Sequence, residues 1–499
     1  MDEQLDVMTA LSFIHLSQKH VSRAPPARFY REAKPRDDGG DDSEDLPSRM
    51  VSILSWIAVC LVRDAQGDAV AAALSVLSGT ITLYLSRTRG PPDDQDITNS
   101  RALLSALRHA MAEKDASLAT DTLFKTTVSM SYRRFAAKVG AIARMESVPS
   151  RVPDRFNDIV DKWVASGGTE SDPSLLSFAR EQRLGTETHG AAALKLVFGQ
   201  LINLIERGLV HLSSGIETCV WAQGYCRCAL ALVYSSFFTQ FGTGTEGLRG
   251  LRARYGAADF TWVLKLLRRL WRVARYRVDA WSFATYGFQF IRDALGERGV
   301  AEFLEHGKDI EVAWVAAQQP GVLPANHGRT YALPEPPLPR LSSTLERYGF
   351  GSLELDETKP AQQEFADSVR RLWPAGGAVA RIHCEIQLIS YFEQNDTPVH
   401  RNYIGVSKLS CWACHAYIEQ VNKQRMEPWI ILGTSNKANY GWLVPPNPFG
   451  LSVIYLIRDE LKEALAKIAK TYGTRETSDD GSSSDSDESQ LSYLDVASR

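Results

Sequence analysis

The chain has 499 residues, of which 44% are hydrophobic and 23% are charged, and its formal net charge is −3. This composition is typical of soluble globular proteins, and the length predicts two to four domains with enough apolar material for a large core. A net charge so close to zero excludes attraction of nucleic acid by the chain as a whole, so any such attraction must be local.

The cysteines predict an intracellular protein. Their number, seven, is odd, and Cys384, Cys411 and Cys414 lie close together in the sequence, which does not fit the regular framework of a disulfide scaffold. Thiols that are free to bind metal indicate a reducing compartment. Residues 1–10 also carry acids where a secretory signal would carry bases.

Residues 1–317 are predicted to form a mostly α-helical region of one or two domains. Apolar side chains recur at helical spacing, and no alternating run is long enough to predict a strand before residue 320. Residues 34–49 are acidic and contain Gly and Pro, which predicts a loop. The uncharged run at residues 69–85 is shorter than the roughly 20 apolar residues of a membrane span. We therefore expect a buried core helix there and no association with a membrane.

Residues 249–277 hold a dense group of basic side chains, with Asp259 as the only acid among them. Tryptophans and tyrosines are interleaved with these bases, as in surfaces that contact phosphates and stack on bases of nucleic acid. The alternative is an amphipathic helix whose apolar residues face the core and whose arginines are solvated. The first interpretation predicts a nucleotide or nucleic-acid partner at a basic surface that includes Arg268, Arg269, Arg272 and Arg275.

The C-terminal third is predicted to be a separate domain. Residues 318–340 are rich in proline, which excludes a helix and weakens any sheet, so we place a linker there. The domain itself is expected at residues 341–473. Residues 474–499 are rich in Ser, Asp and Glu and have too little apolar surface to fold, which predicts a disordered tail.

This domain contains the highest density of metal-ligand side chains in the sequence. His383 precedes Glu385 by two residues, and Cys411 and Cys414 follow three residues apart. At the start of a helix, two cysteines with this spacing can face one point. The N-terminus of the helix also favours their thiolate form. Ser410 is a good N-cap residue for such a helix.

The donor types predict a zinc site. Zinc prefers nitrogen and thiolate ligands, and a catalytic site uses three protein ligands and keeps a position for water. We therefore expect three of these side chains to bind Zn²⁺: His383, Cys411 and Cys414. Glu385 is poorly suited to this soft donor set and is expected to face the zinc water as a proton carrier. The alternative is a structural zinc site with a fourth protein ligand, for which Cys384 and His415 are candidates.

These residues also carry a resemblance to a known family. H-C-E at residues 383–385, followed by S-C-W-A-C at residues 410–414, resembles the H-x-E and P-C-x-x-C motifs of the cytidine-deaminase-like superfamily. More narrowly, this part of the chain is similar to the fungal OTT-like nucleic acid/nucleotide deaminases in two stretches, R-I-H-C-E-I-Q-L-I and I-G-V-S-K-L-S-C-W-A-C-H. Serine, as at Ser410, is usual in this branch, whereas most of the superfamily has proline there. The resemblance covers about residues 345–470.

The resemblance implies a three-layer α/β domain, in which a sheet is sandwiched between helices, after the mostly α N-terminal region. It assigns zinc binding to His383, Cys411 and Cys414, and proton transfer to Glu385. It also implies two strands before His383, for which residues 349–355 and 378–382 are the candidates. Further along, residues 428–434 are predicted to be a strand and residues 453–471 a helix.

The function predicted from these observations is a zinc-dependent hydrolytic deaminase. Its substrate would be a nucleobase in a nucleotide or a nucleic acid, with cytosine favoured because of the resemblance. The alternative is a binding or scaffold protein that keeps the zinc fold without turnover. The presence of Glu385 favours the enzyme, because an inert zinc fold does not need an acid at that position.

Overall fold

A computed structural model of the chain describes residues 3–20, 46–63, 68–148, 151–182, 190–208, 215–242, 245–315, 328–331, 337–350, 353, 355–356, 358–372, 378–431, 434–435, 437–439 and 441–472. The predicted loop at residues 34–49 and the linker at residues 318–340 lie mostly outside this part of the chain. The predicted tail at residues 474–499 lies wholly outside it.

Helices dominate the described residues. In chain order they are α1 (Glu3–His20), α2 (Leu46–Cys60), α3 (Asp94–Ala112), α4 (Ala116–Met130), α5 (Tyr132–Ala143), α6 (Arg151–Ala165), α7 (Pro173–Glu181), α8 (Ala191–Gly208), α9 (Gly215–Val233), α10 (Ser236–Thr239), α11 (Thr245–Ser282), α12 (Phe288–His306), α13 (Pro337–Arg347), α14 (Pro360–Leu372), α15 (Cys384–Asn395), α16 (Trp412–Asn422) and α17 (Pro448–Tyr472). Short turns of other helical types lie at Gln240–Gly242, Phe283–Gly287 and His400–Asn402.

Seven strands are found among the described residues: β1 (Val70–Leu77), β2 (Thr80–Arg87), β3 (Ile310–Trp314), β4 (Thr330–Tyr331), β5 (Ala378–Val379), β6 (Tyr403–Val406) and β7 (Ile430–Ile431). Five of them form a mixed sheet in the order β3-β2-β1-β6-β7. The β1–β2 and β1–β6 pairs are antiparallel, whereas β2–β3 and β6–β7 are parallel. The short strands β4 and β5 form a separate antiparallel pair.

The chain divides into two compact units. The first, here called the sheet unit, contains the described residues of Met1–Ala58, Ala69–Gln95 and Ile310–Gln490. The second, here called the helical unit, contains Val59–Asp68 and the described residues of Asp96–Asp309. A largely helical chain with an α/β region that includes the C-terminal third is therefore confirmed.

The boundary between the units differs from the predicted separation of residues 1–317 from residues 341–473. The described part of the first 58 residues and the β1–β2 hairpin fold with the C-terminal part, because β1 pairs with β6 and α1 packs against α17. Within the predicted linker, α13 begins at Pro337. A helix forms there despite Pro337 and Pro339 because proline is tolerated in the first helical turn, where its missing N–H has no intrahelical partner.

The predictions of a core helix at residues 69–85 and of no strand before residue 320 were wrong. The run forms the β1–β2 hairpin, which turns through Ser78 and Gly79 with φ of 51° and 80°. Positive φ at both central residues is the geometry of the two-residue turns that best fit twisted hairpins. Strand β1 is buried on both faces over Val70–Ser75, so both faces carry small or apolar side chains. The alternation of polar and apolar residues that predicts a strand is therefore missing from the sequence.

The same hairpin supplies two strands before His383. Residues 378–379 form β5, which lies outside the five-stranded sheet, and the described residues of 349–355 contain no strand. In the sequence, residues 96–309 of the helical unit therefore lie between β2 and the H-C-E motif. The predicted strand at residues 428–434 and helix at residues 453–471 are confirmed as β7 and α17.

Helix α2 lies directly on β6, the strand that leads toward Cys411. Val406 N–H donates to Ser55 Oγ at 3.1 Å. A Cβ atom built on Gly405 would overlap the backbone of Leu54 and Ser55. Glycine at this position therefore allows the helix backbone to approach the strand, and no flexible side chain could move aside to make room.

No helix in the described part of the chain is both long enough and apolar enough to span a membrane.

We predict that Gly405→Ala destabilises the protein by about 1–3 kcal/mol or more, because the added methyl group must displace a helix backbone. The measurement is urea unfolding followed by circular dichroism. As a control, Gly199→Ala in α8 adds the same methyl group where no atom lies within 4 Å, and we expect it to be neutral or stabilising by up to about 1 kcal/mol. Equal stability of the Gly405→Ala variant and the wild type would show that α2 does not pack closely on β6.

Candidate metal centre

Two helices of the sheet unit begin at the same place. His383 is the N-cap residue of α15, and Cys411 is the N-cap residue of α16; both have extended backbone conformations. Cys414 lies in the first turn of α16, where its N–H lies 3.5 Å from the Cys411 sulfur that accepts its hydrogen bond. The predicted N-cap, Ser410, is one residue too early, and instead forms an isolated parallel β-bridge with Thr434.

The three predicted ligand side chains converge. His383 Nδ1 lies 3.5 Å from Cys411 Sγ and 3.2 Å from Cys414 Sγ. All three donor atoms lie within 4.8 Å of one another. Tetrahedral zinc, with bonds of about 2.3 Å to sulfur and about 2.0 Å to nitrogen, separates such N and S donors by about 3.5 Å. The donor types and their spacing therefore fit one zinc ion.

The electrostatics of the three side chains favour a cation among them. Burial raises the pKa of the Cys411 thiol, but hydrogen bonding from Cys414 and the charge of His383 outweigh burial and lower it. Burial lowers the pKa of His383, but the negative charge of Cys411 outweighs burial and raises it to about 9. Burial and the Cys411 sulfur raise the pKa of Cys414. Two thiols and an imidazole this close together cannot all reach their metal-binding forms without a cation between them. Zinc binds the thiolates and the neutral imidazole, so its positive charge stabilises all three in that form.

Glu385 lies at the same centre. It is in the first turn of α15, and only 4% of its surface is exposed. Its carboxylate accepts a hydrogen bond from Cys384 Sγ at 3.4 Å and is also hydrogen-bonded to the Cys414 side chain. A buried carboxylate beside the three donors is in position to exchange protons with a molecule bound there.

The end of strand β2 holds the start of α15, which sequence reasoning did not predict. Cys384 N–H donates to Thr88 Oγ1 at 3.2 Å. The Gln387 amide donates to the carbonyls of Ile382 at 2.7 Å and Arg87 at 3.3 Å, and it accepts from Ser86 Oγ at 2.7 Å. Gln387 is 2% exposed. A glutamine inside the apolar run I-Q-L-I was the available signal, because a buried amide requires partners.

Asn439 is a second residue that the sequence did not indicate. Its Nδ2 lies 3.3 Å from His383 Nε2, the ring nitrogen that faces away from the two cysteines. When a neutral histidine binds a metal through Nδ1, its proton lies on Nε2. Nε2 and the amide nitrogen are then both donors, so Asn439 contacts the edge of the ring without accepting a hydrogen bond from it. No sequence motif surrounds Asn439, because its position beside His383 results from tertiary packing alone.

The alternative of a fourth protein ligand is not supported among the described residues. Only His383, Cys411 and Cys414 form a group of convergent donors there. Cys384 is 1% exposed in the apolar core and donates to Glu385. His415 Nε2 lies 3.2 Å from Glu419 Oε1, one helical turn further along α16.

Trp412 lines a cavity between α16 and α17. The cavity has a volume of about 260 Å³. Four acidic side chains line it as well: Glu419, Asp459, Glu460 and Glu463. Burial, followed by the charge of Glu463, raises the pKa of Glu460. These carboxylates repel phosphate, so this cavity does not suit a nucleotide.

The predicted basic residues lie in the helical unit. Arg268, Arg269, Arg272 and Arg275 are all on α11, which is kinked at Gly256 with φ of 75°. Of the apolar side chains of α11, Leu264, Trp271 and Val278 are only partly buried. Five others are buried: Val263, Leu266, Leu267, Leu270 and Val273.

Comparison with known proteins agrees with this geometry. Residues 382–446 match a family model described as OTT_1508-like deaminase. No curated protein and no solved structure matched the chain. The matched segment runs from the residue before His383 to just before α17, and so contains Glu385 and both cysteines. The resemblance of the H-C-E and S-C-W-A-C motifs to an OTT-like deaminase is thereby confirmed over residues 382–446.

Proposed function

We propose that the sheet unit is a zinc-dependent hydrolytic deaminase that acts on a nucleobase. The observation that carries this proposal is the convergence of His383, Cys411 and Cys414 beside the buried carboxylate of Glu385. Three soft donors with an adjacent acid match the composition of a catalytic zinc site, whereas a structural site would have a fourth protein ligand. The family match at residues 382–446 gives the reaction class.

When bound, zinc supplies a Lewis acid that makes water nucleophilic near neutral pH. His383, Cys411 and Cys414 would hold the ion. Glu385 accepts the first proton of the attacking water and delivers it to the ring nitrogen. It then accepts the second proton, from the new hydroxyl group on the ring carbon, and delivers it to the amino group, which leaves as ammonia. Cys384, whose thiol donates to Glu385 at 3.4 Å, holds one carboxylate oxygen in place.

The reaction requires no oxidant or reductant. A C–O bond forms at the ring carbon that bears the amino group, the exocyclic C–N bond breaks, and ammonia leaves. The reacting carbon is C4 of cytosine or C6 of adenine. We favour cytosine because the H-x-E and C-x-x-C motifs resemble those of cytidine-deaminase-like enzymes.

We predict that Glu385→Gln keeps zinc but loses about 10²–10⁴-fold in turnover, because an amide cannot carry the proton. The measurement is ammonia release from nucleosides, nucleotides, RNA and DNA, with metal content determined on the same samples. The control is Glu419→Gln, which removes an exposed carboxylate on α16 and should keep full activity. Turnover by zinc-loaded Glu385→Gln at the wild-type rate would contradict the assignment of Glu385. Zinc binding with no turnover of any substrate by the wild type would favour the scaffold alternative.

We further propose that the helical unit binds the phosphates of a nucleic acid where α5 packs against α11. The rings of Phe135 and Tyr276 lie 4.9 Å apart, and Lys138 Nζ lies 4.6 Å from the Tyr276 ring centroid. Arg269 donates a hydrogen bond to the carbonyl of Ala141. This contact brings basic side chains of both helices together, here called the cationic cluster: Arg134, Lys138, Arg269, Arg272 and Arg275.

Like charges in the cationic cluster are close enough to shift one another's pKa. Burial is the main cause that lowers the pKa of Arg134, and the charges of Arg275 and Arg272 act in the same direction. Burial, followed by the charge of Arg134, lowers the pKa of Lys138 well below its usual value. Asp279, which pairs with Arg275 at 3.1 Å, and the charge of Asp68 near Arg134 offset part of this charge. A bound anion would relieve the remaining repulsion, and phosphate is the anion of a nucleic acid.

Asp259 does not offset the cationic cluster. Its two carboxylate oxygens pair with Arg155 at 3.2 Å and Lys162 at 2.6 Å. Within the described residues, no carboxylate forms an ion pair with Arg268 or Arg272. These two arginines are four residues apart on α11 and at least partly exposed, so they share one helix face that a polymer backbone can reach.

We predict that the double variant Arg268→Gln/Arg272→Gln binds single-stranded RNA or DNA more weakly and with a smaller dependence on salt. Each lost phosphate contact should reduce the slope of log K against log salt by about 0.7. Fluorescence anisotropy with labelled oligonucleotides at several salt concentrations measures both quantities. The control is Arg249→Gln/Arg252→Gln, which removes the same charge before the kink at Gly256. An unchanged slope in the first double variant would contradict the proposal.

A further inference from the structure

The described residues of the segment 438–444, together with Lys437, form backbone hydrogen bonds at the starts of both helices that carry the proposed metal ligands. Arg381, two residues before His383, donates its N–H to Gly441 O at 2.8 Å, and Arg381 O accepts from Leu443 N–H at 2.9 Å. Just before the segment, Lys437 O accepts from Trp412 N–H at 3.0 Å, directly after Cys411. A displacement of this segment would therefore be transmitted to both ligand-bearing turns.

Asn439 connects the same segment to the histidine ring. Its side-chain oxygen accepts from Gly441 N–H at 3.0 Å, which fixes the orientation of the amide. Its Nδ2 lies 3.3 Å from His383 Nε2. The position of the segment therefore decides whether the Asn439 amide lies against the edge of the His383 ring.

The N-terminal helix α1 holds this segment at both ends. The Gln4 amide donates to Trp442 O at 2.8 Å and accepts from Val444 N–H at 3.1 Å. Gln18 Oε1 accepts from Ala438 N–H at 3.0 Å. The two glutamines are 14 residues apart, which is close to four turns at about 3.6 residues per turn, so they lie on one face of α1.

The surroundings of these glutamines indicate a specific role. Much of that face of α1 is apolar and buried, with Met8 and Leu11 at 0% exposure, and the half-buried His15 also lies on it. Gln4 itself is 7% exposed. A buried amide is retained only where it satisfies other buried polar groups, and here it satisfies backbone groups more than 400 residues away in the sequence.

We propose that α1 is a positioning element of the metal centre. Gln4 and Gln18 hold the segment 438–444 so that Asn439 stays on Nε2 of His383 and the Lys437 carbonyl stays on the N–H of Trp412. This inference rests on the proposed function only in that a metal binds at His383, Cys411 and Cys414. It assigns a role to residues far outside the segment 382–446 that matches the deaminase family.

The test compares variants of the full-length protein for zinc release to a chromophoric chelator, below the temperature at which any variant unfolds. In Gln4→Leu/Gln18→Leu, we expect zinc to be released about 10-fold faster or more, which is the usual effect of removing the outer partners of a metal ligand. The visible spectrum of the Co²⁺-substituted protein should also change. The control is Thr9→Val, which removes only a hydrogen bond within α1, from Thr9 Oγ1 to Leu5 O, and should release zinc at the wild-type rate.

Single substitutions at two positions separate positioning from general stability. Gln18→Glu keeps the oxygen that accepts from Ala438 N–H and should release zinc as slowly as the wild type. Gln18→Leu should release zinc faster. Asn439→Leu leaves α1 intact and should also release zinc faster. These two positions still test the proposal if the double variant does not fold.

The outcomes distinguish this inference from the proposed function. Wild-type release rates and an unchanged Co²⁺ spectrum in the folded glutamine variants would overturn the role of α1 while leaving the deaminase intact. A wild-type protein that binds no zinc would overturn the proposed metal site itself, and with it this inference.

Discussion

The proposed metal centre depends on two helices that start at one point. His383 and Cys411 are the N-cap residues of these helices. Each of the two side chains therefore belongs to the last non-helical residue before a helix, and neither lies in a helix interior. Cys414 then follows in the first turn, and Glu385 occupies the equivalent turn of the other helix. Partial positive charge at the two helix N-termini favours thiolates and a carboxylate at this place. The rest of the sheet unit serves to hold these two helix starts together.

That support comes from distant parts of the chain. Strand β2 holds the start of α15 through Thr88 and Gln387, and β1 pairs with β6, which leads to Cys411. Helix α1 packs against α17 and holds the segment that reaches His383. The centre is therefore not a property of the 382–446 segment alone. A fragment cut at the proline-rich region would lack α1, β1 and β2, and so would lack both the centre of the sheet and the glutamines.

The sequence predicted the parts of the site that depend on local spacing. Cys411 and Cys414 are three residues apart and His383 precedes Glu385 by two, so donor type and helical geometry were enough to bring them together. Strand β7 and helix α17 were also predicted from the sequence. The β1–β2 hairpin was missed because burial on both faces removed the alternation of polar and apolar residues. Gln4, Gln18 and Asn439 could not be predicted, since their partners are chosen by tertiary contacts between parts of the chain far apart in sequence.

The central claim is that three protein ligands hold one zinc ion and leave a position open. X-ray absorption at the zinc edge of the purified full-length protein tests it most directly. The account predicts one zinc per chain with two sulfur neighbours at about 2.3 Å and two nitrogen or oxygen neighbours at about 2.0–2.1 Å, one from His383 and one from solvent. Removal of the ion by a chelator should abolish this signal, and added zinc should restore it. Three or four sulfur neighbours, or a protein that binds no zinc, would contradict the account.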